Sequence, residues 1–194
     1  MRLWLLAFLL LVGCDGRDEN TIRVGSKKFT ESVVLGEVVA QYLASKGADV
    51  EHIAELGGTR ILWTGLLNGE IDAYVEYTGT LREEIFADRE VSTDDDLRAV
   101  LKEHELSMSR PLGFNNTYAI GMREQHARTL GIETISDLAD HPELRLAFGN
   151  EFLERADGWP GLKAAYGLPH TDVTGLDHDL AYKGLDAGSL DAVD

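Results

Sequence analysis

The chain has 194 residues, 44% hydrophobic and 27% charged, an ordinary globular composition long enough for one large or two small domains. Its formal charge of −16 excludes a nucleic-acid surface, which needs clustered Lys and Arg, and equally excludes docking on anionic lipid through the protein face. The excess acid reads as a well-solvated exterior.

Met1-Arg2 gives a short positive start, and Leu3 to Val12 is an apolar run too short to remain in a bilayer as a helix. It ends in Leu11-Val12-Gly13-Cys14, which resembles a bacterial lipobox, where the Cys is lipidated and becomes the mature N-terminus. An ordinary signal peptide with an incidental Cys is the competing reading. The expectation is a lipoprotein signal over 1–13, lipidation at Cys14 and a polar tether over 14–20. Cys14 is the only cysteine, so stability must come from the core rather than a disulfide. Asp15 directly after it resembles an inner-membrane retention signal of some Gram-negative bacteria.

Thr21 to Ser26 alternates as a first strand would, and a turn with Lys27, Lys28, Phe29 and Thr30 follows. Val34, Leu35, Val38, Val39 and Tyr42 recur at helical spacing, with Thr30 as N-cap and Glu31 suiting the helix dipole. Leu56-Gly57-Gly58-Thr59 turns into a second helix carrying Ile61, Leu62, Leu66 and Leu67. Gly69 closes that helix, and Ile71 to Val75 reads as a strand. Asp94 to His104 is an amphipathic helix with Leu97, Val100 and Leu101 on one face. Pro111 and Gly113 interrupt the pattern and mark a crossover. Beyond it, Thr117 to Met122 is a strand, Glu124 to Leu130 a helix, and Ser136 caps another. Leu144 to Phe148 is a strand, Gly161 to Tyr166 and Leu180 to Ala187 are helices, and a last strand begins at Leu190. Strand, polar turn and helix in repetition predict an α/β fold.

An internal echo stands out. Leu66-Leu67-Asn68-Gly69-Glu70-Ile71-Asp72-Ala73 matches Leu185-Asp186-Ala187-Gly188-Ser189-Leu190-Asp191-Ala192. Both read as a helix end, a Gly cap and a buried strand opened by Asp-Ala. The first copy runs on to Thr80 and the second stops at Asp194. The expectation is two similar lobes, over 21–110 and 111–194, with the second cut short and a return segment of the first missing.

Catalytic signatures are missing from the sequence: no Gly-x-Ser-x-Gly, no His-Glu-x-x-His, no phosphate loop, and no free Cys nucleophile. The six histidines are scattered. His178 between Asp177 and Asp179 fits a solvated polar turn better than a metal site. Glu83-Glu84 and Asp94-Asp95-Asp96 read as a helix face and an N-terminal charge cluster. Neither catalytic residues, nor a metal, nor a cofactor is expected.

Several segments in order carry a resemblance. They are Gly25 to Glu31 (GSKKFTE), Gly57-Gly58-Thr59, Asp72 to Thr80 (DAYVEYTGT), Phe114 to Ala119 (FNNTYA) and Phe152 to Gly158 (FLERADG). Together they resemble the substrate-binding proteins of quaternary-amine ABC transporters, over about 21 to 194. That resemblance implies a two-lobe, type II periplasmic-binding-protein-like fold, each lobe a mixed sheet flanked by helices. It also implies a ligand cleft between the lobes, with the trimethylammonium head in a box of aromatic rings. Such a head donates no hydrogen bonds, so ring faces hold it by cation–π attraction and contact. A betaine carboxylate needs donors such as Arg, Lys or backbone N–H.

Carried over by residue, Tyr118 resembles a box tyrosine and Asn116, beside Asn115, its polar neighbour; some members carry Asp where Asn116 stands. Tyr77 or Tyr74 supplies a second ring, and successive strand residues alternate faces, so both stay open. Lys27 and Arg155 are candidates for a carboxylate or hydroxyl end, with Thr30 and Thr59 completing the set. Core packing for the two tyrosines, a surface ion pair for Arg155 and solvated loop charge for Lys27 compete with these roles. Trp159 resembles a lobe-packing position. The family's next segment adds another ring, so weak or no binding is expected of a chain ending at Asp194. The implied function is an extracytoplasmic receptor for glycine betaine, choline or carnitine, partnered by an ABC permease and ATPase, monomeric and touching the membrane only through its lipid. A sensor ectodomain of the same fold is the alternative, and an enzyme a more distant one.

Overall fold

The computed structural model describes residues 20–194. The expected signal segment, Cys14 and most of the tether lie outside the described residues.

The first lobe opens with β1 (Thr21–Lys27), α1 (Thr30–Ser45), β2 (Asp49–Gly57), α2 (Thr59–Leu67) and β3 (Ala73–Tyr74). β1 is the middle strand of a parallel sheet in the order β2-β1-β3. A parallel strand covered on both faces does not alternate. Val24 to Lys27 are accordingly buried in succession, where the sequence predicted an in-out pattern. The helix α3 (Thr78–Thr80) runs on into a π-helical turn, Leu81–Ile85, that the sequence pattern did not reveal. α4 (Asp94–Glu103) then closes a core of Trp63, Leu81, Ile85, Phe86, Val91, Leu97, Val100 and Leu101. Thr93 caps α4 in a capping box with Asp96.

Two expectations about α1 are corrected. Its cap position is Phe29, without a side-chain cap, and Thr30 is the first helical residue. Its buried residues are Ser32, Gly36 and Ala40, while Val34, Val38 and Tyr42 are 54%, 58% and 61% exposed. The cause is close approach. A Cβ on Gly36 would lie 2.6 Å from His52 Nε2 and 3.1 Å from Ser26 Cβ, so α1 settles on the sheet by its small residues. Hydrophobic spacing alone pointed to the wrong stripe.

The second lobe comprises β4 (Gly121–Met122), α5 (Glu124–Leu130), a 3-10 helix (Ile135–Asp140), β5 (Leu146–Phe148), α6 (Asn150–Glu154), α7 (Trp159–Tyr166), β6 (Val173–Gly175), α8 (His178–Asp186) and β7 (Ala192–Val193). The sheet order is β4-β7-β5-β6, with β4 antiparallel and the rest parallel, so mixed strand direction is confined to this lobe. Thr134, not Ser136, caps the 3-10 helix, because Asp137 sits three residues on and returns the hydrogen bond. The strands expected over 71–75 and 117–122 shorten to two residues each, and that over 144–148 to three. Trp159 packs inside this lobe, with Phe148, Phe152, Leu146 and Leu168.

The internal echo is structural. In each lobe a helix ends in a left-handed Gly (Gly69 at φ 68°, Gly188 at φ 72°), then a strand pairs parallel to the lobe's central strand. Gly65 O accepts from the backbone of Glu70 and Ile71, and Gly184 O from that of Ser189 and Leu190. The Asp-Ala step closes a clasp. Asp72 takes the Arg23 N–H at 2.8 Å while its own N–H donates to Arg23 O at 2.8 Å. Asp191 takes the Arg145 N–H at 2.9 Å and donates to Arg145 O at 2.9 Å. Each lobe thus contains a βαβαβ unit in which the middle strand comes first, β1 in one and β5 in the other.

Candidate functional site

The residues singled out from the sequence gather at the C-terminal ends of β1, β3 and β5, where open α/β sheets place their ligands. Lys27 ends β1, where only 2% of its side chain is exposed. Its ammonium donates to Glu76 Oε1 at 2.7 Å and to Thr59 Oγ1 at 2.9 Å. Thr59, the first residue of α2, in turn donates to Glu151, in the first turn of α6 in the other lobe. Lys27 and Glu151 stand 3.8 Å apart. Sequence analysis missed Glu151, and only its place in the first turn of a helix marked it.

Glu76 lies next to this cation but is itself buried. Desolvation pushes its carboxyl above the usual range, against the pull of Lys27. Its Oε2 and the hydroxyl of Tyr74 are both buried without a well-formed hydrogen bond. Burial, reinforced by the Glu76 charge, likewise raises the Tyr74 phenol. Tyr74 therefore faces the interior behind Glu76.

Tyr77 faces the cleft. Its hydroxyl donates to Glu31 Oε1 at 2.5 Å, and Asn116 Nδ2 bridges from the second lobe to Glu31 at 2.9 Å and to the Tyr77 hydroxyl at 3.3 Å. Phe29 stacks on the ring at a centroid distance of 6.4 Å, and the Lys27 ammonium lies 5.7 Å from its centroid. Burial and then the bond to Glu31 raise the phenol above its usual range.

Tyr118, two residues past Asn116, is 49% exposed and rests against Phe152 at 4.7 Å between centroids. Its phenol is pushed up to about 12, by burial first and then by the charge of Glu151. Asp194 and Asp157 add smaller negative contributions at the same ring, and Arg155 an opposing one. Arg155 sits 5.9 Å from the Tyr118 centroid, only 7% exposed. It is held by Asp157 at 2.6 and 2.9 Å, and reaches across to Thr80 at 3.1 Å and Glu84 at 3.2 Å. Thr30 and Asn115 are exposed at the rim. His178 pairs with Asp194 at 3.2 Å, which also accepts from Gly149 N at 2.8 Å, joining α8 and β7 to the turn after β5.

The arrangement is two tyrosines, one from each lobe, in a field set by Glu31, Glu76, Glu151, Asp157 and Asp194. Such a setting attracts a cation and offers it ring faces.

Comparison with known proteins identifies the family and the fold. The family profile described as the substrate binding domain of ABC-type glycine betaine transport systems, OpuAC, matches residues 20–194. A glycine-betaine-binding protein of Pseudomonas aeruginosa is 34% identical over 182 residues, covering 86% of this chain and 58% of that protein. An ergothioneine transport permease/ergothioneine binding protein, EgtU, of Helicobacter pylori is 31% identical, covering 99% of this chain and 36% of that protein. The chain thus spans between about a third and three fifths of these relatives. A crystal structure titled as a glycine betaine/carnitine/choline ABC transporter superposes with a TM-score of 0.62 at 24% identity, covering 89% of this chain and 67% of that one, a likeness of fold. The two α/β lobes are those of a type II periplasmic binding protein, and the chain belongs to the OpuAC family of substrate-binding domains from ABC-type glycine betaine transport systems.

Proposed function

We propose that the protein is an extracytoplasmic receptor that binds a quaternary-ammonium solute such as glycine betaine, choline or carnitine and hands it to an ABC permease and its ATPase. It acts by binding and not by catalysis, as a monomer held to the membrane through a lipid on Cys14, with the signal over 1–13 removed. The lobes divide near the crossover after residue 110. Tyr77 and Tyr118 supply the ring faces, Asn116 and Glu31 fix Tyr77, and Lys27, Thr59 and Arg155 order the floor of the cleft. Tyr74 supports Glu76 from behind.

The observation that supports this reading is the Asn116 bridge, which runs from the second lobe, two residues before Tyr118, to Glu31 and Tyr77 of the first. A quaternary ammonium suits that cleft because it needs charge and ring faces and no acceptor. Closure of the lobes on the solute then couples binding to a conformation the permease reads. Calorimetric titration with glycine betaine, choline, carnitine, ergothioneine and proline tests it. Saturable binding of a quaternary amine, weakened at least about tenfold by Tyr118→Ala, is the expected result. The titrated protein is the chain read through to its gene's own stop codon, and silence from all the quaternary amines in that protein, folded, would overturn the assignment.

A further inference from the structure

Lys27 and Lys28 leave β1 one after the other and go opposite ways. Lys27 is buried, whereas Lys28 is exposed at the rim, with its backbone N–H fixed on Gly57 O at 3.0 Å. From that anchor its ammonium lies 3.6 Å from Asp177 Oδ2, on the other lobe. Asp177 is the N-cap residue of α8, and its carbonyl accepts from the backbone of Leu180 at 2.9 Å and of Ala181 at 3.1 Å. Its carboxylate makes no cap bond to that helix. The next residue, His178, turns back to Asp194 within its own lobe and stacks on Tyr182. Both ends of the Lys28–Asp177 contact therefore stand on backbone that hydrogen bonds hold in place, and the distance between them follows the distance between the lobes.

Among the described residues three ion pairs cross the seam: Lys27 with Glu151, Arg155 with Glu84, and Lys28 with Asp177. The cation is buried in the first two, while the side chains of the third are 61% and 53% exposed. Salt screens an exposed pair far more than a buried one. With the lobes apart, Lys28 and Asp177 each return to water, so their attraction belongs to the closed form alone. A contact made only in the closed form raises its population, and with it the apparent affinity for a solute that the closed form binds.

Resting on the receptor reading above, we infer that Lys28 and Asp177 are positioning residues that form a salt-screened latch on lobe closure. The pair tightens solute binding without contacting the solute, and it loosens as ionic strength rises. The affinity retained at high salt then rests on the two buried pairs and the hydrogen bonds across the seam.

The test is calorimetric titration of the read-through protein with glycine betaine and with choline, comparing the parent with Lys28→Gln, Asp177→Asn and the double variant. Each is measured at about 0.01 M and about 1 M salt, between which the screening length falls from about 30 Å to about 3 Å. At low salt each single variant weakens whichever solute binds by about two- to fivefold. The double variant is no weaker than either single one, because both remove the same contact. At high salt all four proteins converge. The two single variants change the charge in opposite senses, so a direct effect on cationic choline would tighten it in one and weaken it in the other. A merely structural role would lower the unfolding temperature and persist at high salt. Single variants that bind like the parent, shifts of opposite sign, losses that multiply in the double variant, or a loss indifferent to salt each overturn the latch and leave the receptor reading standing. Failure of the folded parent to bind either solute overturns the receptor reading and the latch with it.

Discussion

Replacing Asp191 by Ala is expected to destabilise the second lobe by about 1.5–4 kcal/mol, and replacing its partner Arg145 by Ala to cost no more than about 1 kcal/mol. The asymmetry follows from the clasp. The Asp191 side chain is 8% exposed and accepts from Arg145 N at 2.9 Å, Nε at 2.8 Å and Nη2 at 2.8 Å. The Arg145 side chain is 54% exposed, so the ion pair is screened and contributes roughly 0.5–1 kcal/mol. The Arg145 backbone N–H is a different matter. Without the carboxylate it has no partner beside β5, which costs about 1–3 kcal/mol, whereas Arg145→Ala leaves that bond in place. Denaturant unfolding followed by tryptophan fluorescence measures both, since Trp159 is buried in this lobe. Acid supplies a second arm. The bonds from Arg145 hold the Asp191 carboxyl below its ordinary 3.8, so its contribution is present above that value and is lost as pH falls through the lowered one. An Arg145→Ala variant as unstable as Asp191→Ala, or an Asp191→Ala variant within 0.5 kcal/mol of the parent by that assay, would refute the clasp as described.

Other substitutions probe other joints. Phe148→Ala empties a site 1% exposed between Phe152 and Trp159, and should cost about 3–5 kcal/mol in the same unfolding experiment. Gly158→Ala would set a Cβ 2.0 Å from the Phe152 carbonyl oxygen, so the turn after α6 must move; thermal unfolding should shift down by several degrees, and solute binding should weaken as Arg155 is displaced. His178 is raised above 6.5 by its bond to Asp194, with Asp177 and Asp179 adding to the effect. Its stabilisation is therefore full below about 6.5 and is lost as pH rises through the raised value, so His178→Gln should cost more at pH 6 than at pH 9.

Much of the fold was legible because it rests on local chemistry. The Gly-x-apolar-Asp-Ala echo fixed both third strands, since a left-handed glycine and an aspartate reaching a backbone N–H are short-range devices. Leu97, Val100 and Leu101 faced inward as their spacing required. The face of α1 was not legible, because what decides it is the room left by His52 and Ser26, residues on other elements. Strand ends were overestimated where β-forming residues such as Val75 and Thr117 lack a partner in the sheet. Of the candidate residues, Lys27 meets Thr59, Asn116 meets Tyr77, and Arg155 lies over the Tyr118 ring. Glu151 escaped notice and Glu31 was read only as an acid suiting the helix dipole, because the role of each depends on what the opposite lobe presents to it.

The doubled clasp also distributes stiffness. Each lobe ties two parallel strands together, β1 to β3 and β5 to β7, through paired backbone bonds and a carboxylate, spanning 49 residues in one and 46 in the other. The seam between them is stitched by single side chains: Asn116 to Glu31 and Tyr77, Glu151 to Thr59, and Arg155 to Thr80 and Glu84. Mechanical load applied across the molecule should therefore open the seam long before it strains either sheet, leaving two intact plates that swing apart and meet again in the same register.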